Sequence, residues 1–491
     1  MKQLRLHFMG IGGQGISAVA QMALAAGAMV SGCDQASSAT TKMLATLGIP
    51  IAIGHDPEHL ADADALIYVP AAVAYNPNNL ELLAAREKGL LMMTWQEMLG
   101  QWLDGYCLLS VSGVHGKGTT TAMLSLALVD AGLDPTCEIG AVVPRFGANY
   151  RIGQSSYFVN EADEFNNNFW HYHPRLAIVT SVEFEHPEFF ADYAEYLASF
   201  EHFVRGMDLR GDWPFPPTLI VNTDSPGCRE LLSRLADWPG RVLTYAVEEA
   251  MPVEADFLAC ELRLDGETSF QVRTKQEVAI GLTGRTISLR LPGTHNVENA
   301  LAALIAATCA GVDPAVAIAA VEEFAGTRRR FEIRNEGPLS LAGEMRDVIL
   351  VDDYAHHPTA IARTLSAARR RYPARRLVAV YQPHMYSRTK TFFEQFLTAF
   401  DEADEVIIVD IYPGSEHDNG TISARDLVAA LGKQPPFVQS GVQVRHGGSV
   451  RETAELLRAN LRSGDLAIIM GAGDIYAATE ELLQETTGTR G

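Results

Sequence analysis

The segment Ser110–Thr121 reads SVSGVHGKGTTT, with Gly113, Gly116 and Gly118 around Lys117. It follows the apolar run Leu108–Val111 and precedes a helix-like stretch, Ala122–Ala131. A strand that turns through glycines into a Lys-Thr helix start is suited to gripping a nucleotide's phosphates. Backbone N–H groups and the helix N-terminus point at the anion, and Lys117 supplies a mobile positive charge. A threonine hydroxyl (Thr119 or Thr120) can hold magnesium. The loop is shorter than the common GxxxxGK[ST] and has glycine directly after the lysine.

Further chemistry-bearing groups stand at the ends of apolar runs. Glu161-Ala-Asp-Glu164 follows Tyr157–Asn160, and His186 follows Leu176–Thr180 in SVEFEH. A carboxylate and an imidazole at neighbouring strand ends can converge beside the phosphate loop and hold a divalent cation. Val351–Pro358 (VDDYAHHP) combines two aspartates, an aromatic and two histidines, and Gln382–Thr389 (QPHMYSRT) offers Arg388 to a carboxylate or phosphate. Adjacent histidines such as His356 and His357 seldom chelate one ion, and His171 and His173 are no better as zinc ligands.

The elements that must carry these groups alternate as strand, loop and helix. Leu4–Met9 leads into Gly10-x-Gly12-Gly13-x-Gly15 and a helix of small residues, and the next apolar stretch ends at Asp34, where a Rossmann acidic residue falls. That fingerprint fits a dinucleotide, another nucleotide's diphosphate, or close packing of helix on strand. Thr218–Val221 continues the second series, a strand-like region follows at Asp256–Leu291, and PGTHNVEN opens an Ala-rich helix. The third series runs through Val348–Val351, Leu377–Tyr381, Val406–Ile411 and Leu466–Met470, and the terminal TTGTRG is expected to fray. Ligands of open parallel sheets bind at the carboxyl ends of the strands, where the polar loops stand.

At 491 residues the chain exceeds one core and implies about three domains. It is 47% hydrophobic and 20% charged, in the globular range. No apolar run is long enough for a bilayer and the N-terminus lacks signal-peptide architecture, so membrane insertion is not expected and a cytoplasmic location is. The net charge of −21 argues against nucleic acid as a partner. Six cysteines without CxxC spacing read as buried thiols, neither a disulfide frame nor a zinc site.

Together the motifs GIGGQG, GVHGKGTTT, EADE, SVEFEH, PGTHNVENA, GTRRRFE, DDYAHHPT, QPHMYSRT and MGAGD resemble the Mur ligase family, from about Leu6 to Ile475. Their order and wording are most similar to members that add L-alanine to UDP-N-acetylmuramate. The resemblance implies an α/β fold of three domains: a Rossmann-like UDP-substrate domain (1–104), a central P-loop ATPase domain with a mostly parallel sheet (105–326), and a Rossmann-like C-terminal domain (327–491). It implies an ATP- and Mg²⁺-dependent (or Mn²⁺-dependent) ligase of peptidoglycan precursor synthesis, working through an acyl phosphate, as a monomer or homodimer.

By the same resemblance, Lys117, Glu161 and His186 are catalytic, and Thr119, Glu161 and His186 hold the metal. Gly113, His115, Gly116, Lys117, Thr119, Thr120, His295, Asn296, Asn299, Arg329, Arg330 and Asp353 bind ATP, with Asn296 toward the adenine. Gly10, Gly12, Gly13, Gly15 and Asp34 hold the UDP end, and Tyr354, His356, His384 and Arg388 the amino acid. The chain departs from the family's wording at Gly118 (threonine), Phe165-Asn166-Asn167 (Ser-Asp), Ser181–His186 (NxEADH), Ile16 (methionine) and Met385 (arginine). The alternatives are a murein tripeptide ligase or a diverged Mur-type amide ligase. A nicotinamide-dependent dehydrogenase would leave the phosphate loop unemployed, and a non-catalytic nucleotide scaffold would leave Lys117, Glu161, His186, Asp353 and Arg388 together without a purpose.

Overall fold

The computed structural model describes residues 4–248, 254–274, 276–414, 416–418 and 420–488. The chain forms two compact units: one of residues 1–183, 194–244 and 302–317, the other of residues 184–193, 245–301 and 318–491.

In the first unit, each apolar run of the N-terminal series becomes a parallel strand: β1 (Arg5–Met9), β2 (Met29–Asp34), β3 (Ile51–Ile53), β4 (Ala65–Tyr68) and β5 (Leu91–Thr94), in the order β3-β2-β1-β4-β5. The helix Gln14–Ala25 after β1 is built of small residues, which bring it close to its neighbours. At Gly15 an added Cβ would lie 2.5 Å from the Trp95 ring, so only glycine fits there.

The central series supplies β6 (Cys107–Ser112), β7 (Thr136–Val143), β8 (Ala148–Arg151), β9 (Tyr157–Glu161), β10 (Leu176–Val179) and β11 (Thr218–Asn222), in the order β11-β10-β6-β9-β7-β8. All neighbours are parallel except the β7–β8 pair. Every residue of β6 is buried, as a strand flanked on both edges and covered on both faces requires. The helix after β6 begins at Lys117, five residues before the apolar stretch that announced it, because the threonines themselves form its first turns.

In the second unit, the alternating region folds into hairpins. The end of β12 (Arg241–Val247) pairs with β13 (Phe257–Arg263), followed by antiparallel β14 (Thr268–Thr274) and β15 (Thr286–Leu289). A six-stranded sheet then runs β16-β17-β21-β18-β19-β20, comprising β16 (Glu332–Leu341), β17 (Glu344–Asp353), β18 (Arg376–Tyr381), β19 (Glu405–Val409), β20 (Gln443–Gly448) and β21 (Asp465–Met470). The β16–β17 hairpin is antiparallel, and it lengthens β17 well beyond the apolar run Val348–Val351. The remaining pairs are parallel, with apolar side chains packed on both faces. The last helix continues to Gly488, so the first half of TTGTRG is helical and the rest lies outside the described residues. All six cysteines are buried and free. Among the described residues no helix is long and apolar enough to cross a membrane.

Candidate active site

In the first unit, β6 delivers the chain to Gly113, and Gly116 (φ +82°) caps the helix that starts at Lys117. A residue with a Cβ is disfavoured in that left-handed conformation. The segment after β10 braces the loop. The Thr180 hydroxyl donates to the carbonyls of Ser112 (3.1 Å) and His115 (2.5 Å), and His115 N–H donates to Ser181 Oγ (3.0 Å). Val114 N–H reaches the Ser181 carbonyl (3.1 Å), and the His115 ring reaches Glu183 (3.2 Å). Ser181 therefore does structural work at the position where the family's wording has asparagine.

Lys117 Nζ donates to the Gly113 carbonyl (2.7 Å) and to Glu164 Oε2 (2.7 Å), with Asp163 at 3.7 Å. Burial opposes its charge, but Glu164, Asp163 and Glu161 outweigh that and raise its pKa. Glu164 also accepts from the Tyr196 hydroxyl (3.1 Å). Glu138 on β7 is pushed well above the usual carboxylate range by burial and then by Glu161 and Asp163. Three carboxylates thus surround one lysine, an excess of negative charge that a divalent cation would relieve.

Glu161 Oε2 accepts from Gly140 N–H (2.8 Å) and would stand 3.0 Å from a Cβ at Gly118. The glycine that replaces the family's threonine therefore stands close against Glu161, whose carboxylate would have to give for a side chain there. Thr119 and Thr120 are buried in the same turn.

At the N-terminal loop, Gly10 and Ile11 donate to the Cys33 carbonyl (2.9 and 3.1 Å). Gly12 N–H donates to Asp34 Oδ2 (2.8 Å). Asp34 is thus at the loop, as its spacing suggested, with one oxygen bracing that loop. Gly13 caps the following helix.

In the second unit, His186 has φ +58°, and its Nδ1 lies 3.0 Å from Glu188. Of the proposed metal set, Thr119 and Glu161 share the first unit and His186 belongs to the second. Asn296 donates to the Pro292 carbonyl (2.7 Å) and accepts from Asn299 (3.3 Å), so its amide holds the turn that presents the half-buried His295.

Arg329 donates to the carbonyls of Gly471 (2.6 Å) and Gly473 (3.0 Å) and lies over the rings of Tyr354 and Tyr476. Arg330 stacks on Tyr354 with its guanidinium carbon 4.8 Å from the ring centre. The buried Asp353 accepts from Phe331 and Ala355 N–H, both at 2.7 Å. Burial pushes its carboxyl up, against the pull of Arg330 and those amides.

The helix Tyr386–Thr391 carries Arg388, which is buried and ion-paired with Glu185. Its Nε and Nη1 have no hydrogen-bond partner among the described residues. The Glu185 oxygens are in ion-pair contact with it but not aligned for a hydrogen bond, and His357 Nε2 lies 3.7 Å away. Burial would raise the Glu185 carboxyl, yet Arg388, His357, His186 and His356 hold it well below the usual range. Burial and then Arg388 push His384 down to about 4 and His356 well below its ordinary value, so both rings are neutral at pH 7. The rings of Tyr354, His356 and His384 stand in sequence, with centres 5.3 and 6.3 Å apart. Sequence reasoning named these groups but missed Glu185, whose place in SVEFEH beside the conspicuous His186 was the available signal.

Known proteins resemble this chain along nearly its whole length. Residues 5–106 match the Mur ligase family catalytic domain, 111–307 the Mur ligase middle domain, and 329–473 the Mur ligase glutamate ligase domain. A UDP-N-acetylmuramate–L-alanine ligase of Agathobacter rectalis is 34% identical over 485 residues, covering 99% of this chain and 98% of its own. The crystal structure of UDP-N-acetylmuramate-alanine ligase from Thermotoga maritima superposes with a TM-score of 0.79 at 25% identity, covering 99% of this chain and all of that one. A murein peptide ligase from Psychrobacter arcticus gives 0.70 at 25% identity, covering 98% of both chains. Three domain models in family order and a relative above 30% identity over nearly the whole length agree with a three-domain α/β architecture: the chain belongs to the Mur ligase family.

Proposed function

We propose that this chain is an ATP-dependent ligase that joins L-alanine to UDP-N-acetylmuramate in peptidoglycan precursor synthesis. The observation that carries the reading is Arg388, a buried guanidinium with two nitrogens unpartnered among the described residues, set beside a buried carboxylate and two neutral imidazoles. A small amino acid is a zwitterion, and these groups match its two ends. Arg388 pairs with the carboxylate, while Glu185 stabilises the ammonium. Neutral His356 and His384 line the pocket as uncharged hydrogen-bonding groups beside the amine. Tyr354 closes this pocket in the reading.

At the phosphate loop, amides of Gly113–Lys117 and the helix N-terminus cradle the phosphates of ATP, with His115, Thr119 and Thr120 lining the site. Lys117 follows the transferring phosphoryl group as charge develops on its oxygens. The carboxylates around Lys117 fit Mg²⁺ (or Mn²⁺), which Glu161, Thr119 and His186 would hold. The ion supplies charge neutralisation on the phosphate oxygens. His295, Asn296 and Asn299 form the adenine side, Arg330 reaches the phosphates, and Asp353 and Arg329 hold the loop that carries it. Gly10, Gly12, Gly13, Gly15 and Asp34 hold the UDP end. In this reading the domains are residues 1–104, 105–326 and 327–491, and the protein acts in the cytoplasm, as a monomer or homodimer.

The reaction proceeds in two steps. The muramate carboxylate attacks the γ-phosphorus, ADP leaves, and an acyl phosphate forms. The amine then attacks the acyl carbon and phosphate departs as the amide forms. The test is phosphate release with ATP, Mg²⁺ and UDP-N-acetylmuramate, offering L-alanine, glycine, L-serine and the stem tripeptide separately. Release strongest with L-alanine is expected. Release only with tripeptide would replace this reading with that of a murein peptide ligase, the activity named for the Psychrobacter arcticus neighbour.

A further inference from the structure

Beneath the N-terminal glycine loop, four elements of the first unit bring chemistry-bearing side chains to one buried point. β1 contributes His7, β2 contributes Cys33, the short 3-10 helix Pro57–Leu60 contributes His59, and the helix Leu80–Glu87 contributes Glu81. Glu81 is fully buried. Its Oε1 lies 2.5 Å from His59 Nδ1 and 3.8 Å from His7 Nε2, and Cys33 Sγ lies 3.0 Å from Oε2. The four potential donor atoms all fall within 4.8 Å of one another. His7 is 2% exposed, and its Nε2 has no hydrogen-bond partner among the described residues. A buried imidazole nitrogen left unpartnered beside a carboxylate is costly unless something binds it.

We propose that His7, Cys33, His59 and Glu81 form a transition-metal site, zinc by chemical preference, distinct from the cation site at Lys117 and Glu161. Two imidazole nitrogens, a thiolate and a carboxylate are a borderline-soft tetrahedral set, which suits zinc and not magnesium. A zinc ion with bonds of about 2.0–2.3 Å sets its donors roughly 3.3–3.8 Å apart. The His7–Glu81 separation of 3.8 Å is already in that range, and the His59–Glu81 contact opens by about 1 Å.

The surroundings are those of a supported metal site. Ser31 Oγ lies 2.9 Å from His7 Nδ1 and leaves Nε2 to face the site as ligand. Asp56 N–H holds Glu81 Oε1 (3.2 Å), and His55 Nδ1 lies 3.2 Å from both Cys33 Sγ and Glu81 Oε2. On binding, the Cys33 thiol gives its proton to water by way of His55. The dication then balances one thiolate and one carboxylate, leaving a neutral site among Met9, Leu60, Leu66 and Leu82. The partly exposed rings of His55 and His59 mark the entry path. The spacing of these residues follows no zinc-binding motif, so the sequence reading of the cysteines as non-ligands is revised for Cys33 alone.

The experiment titrates Co²⁺ into the purified full chain in excess Mg²⁺. One equivalent is expected to bind with a near-ultraviolet thiolate-to-cobalt charge-transfer band that is absent from Cys33→Ser. His59→Gln is expected to weaken binding by at least about tenfold. On the wild-type protein, zinc-edge X-ray absorption is expected to give one sulfur at about 2.3 Å and three lighter donors near 2.0 Å. No thiolate band in the wild type, a band that persists in Cys33→Ser, or a zinc shell without sulfur would each overturn the proposal.

Discussion

Arg388 and Glu185 meet as a buried ion pair in which the guanidinium keeps Nε and Nη1 unpartnered among the described residues. The pair is therefore both a structural contact and a half-built receptor. Removing one partner leaves an uncompensated charge, which costs about 3–5 kcal/mol. Glu185→Gln is expected to lower unfolding stability at pH 7 by about that amount in urea titrations. The sign with pH follows from the depressed carboxyl. The stabilisation is complete above the unfolded-state pKa of about 4.3 and fades as pH falls through the lower folded-state value. The gap between wild type and Glu185→Gln should accordingly narrow below about pH 4; a gap constant from pH 7 to 3 would contradict the pairing.

Arg388→Lys keeps the charge but loses the planar fork. The amino acid's KM is expected to rise by about tenfold or more, with the KM for ATP unchanged. Steady-state kinetics with each substrate varied in turn separates the two. An equal rise in both would place Arg388 outside the amino-acid pocket.

Lys117→Ala removes the cation that Glu164, Asp163 and Glu161 surround. Turnover is expected to fall by about 10²–10³ or more while far-UV circular dichroism stays native. A folded variant with wild-type phosphate release would refute the phosphate-loop assignment.

Gly118→Ser places a hydroxyl beside Glu161, where the nearest obstacle is the movable end of that side chain. The position is helical, so the substitution also removes a glycine from the first turn. The Mg²⁺ concentration for half-maximal turnover is expected to fall. An increase would mean that the side chain displaces the Glu161 carboxylate from its place at the metal.

Arg329 and Arg330 are adjacent but should behave differently. Arg329→Ala abandons two carbonyls and two aromatic faces, and a loss of about 2 kcal/mol in stability is expected. Arg330→Ala is expected to raise the KM for ATP and to cost less, about 0.5–1 kcal/mol, for the lost stacking on Tyr354. Thermal melts and ATP kinetics on both variants decide the point; the reverse pattern would exchange their roles.

The phosphate loop was legible because its chemistry is local: strand, glycines, lysine and helix follow within a dozen residues. The apolar runs likewise became the expected strands, since buried parallel strands read as unbroken hydrophobic segments. The hairpin β16–β17 was missed because only its inner half is apolar. Asp34 was read as a ligand-binding carboxylate, while one of its oxygens serves Gly12 N–H. Asn296 was read as an adenine contact, while its amide ties a turn. In both cases the residue type suits a loop contact as well as a ligand contact, and spacing alone does not show the loop contact. Glu185 with Arg388, and Cys33 with Glu81, lie too far apart in sequence for spacing to reveal them.

All six native thiols are buried, and burial raises the pKa of Cys107 and Cys137 to about 12 and that of Cys309 to about 11. Thiolate is the reactive form, so alkylating reagents meet little background at these three thiols. A cysteine introduced at an exposed position on each domain would then take a maleimide dye selectively. Energy transfer between two such dyes would report the distance between the labelled positions under each substrate condition without removing a native residue first.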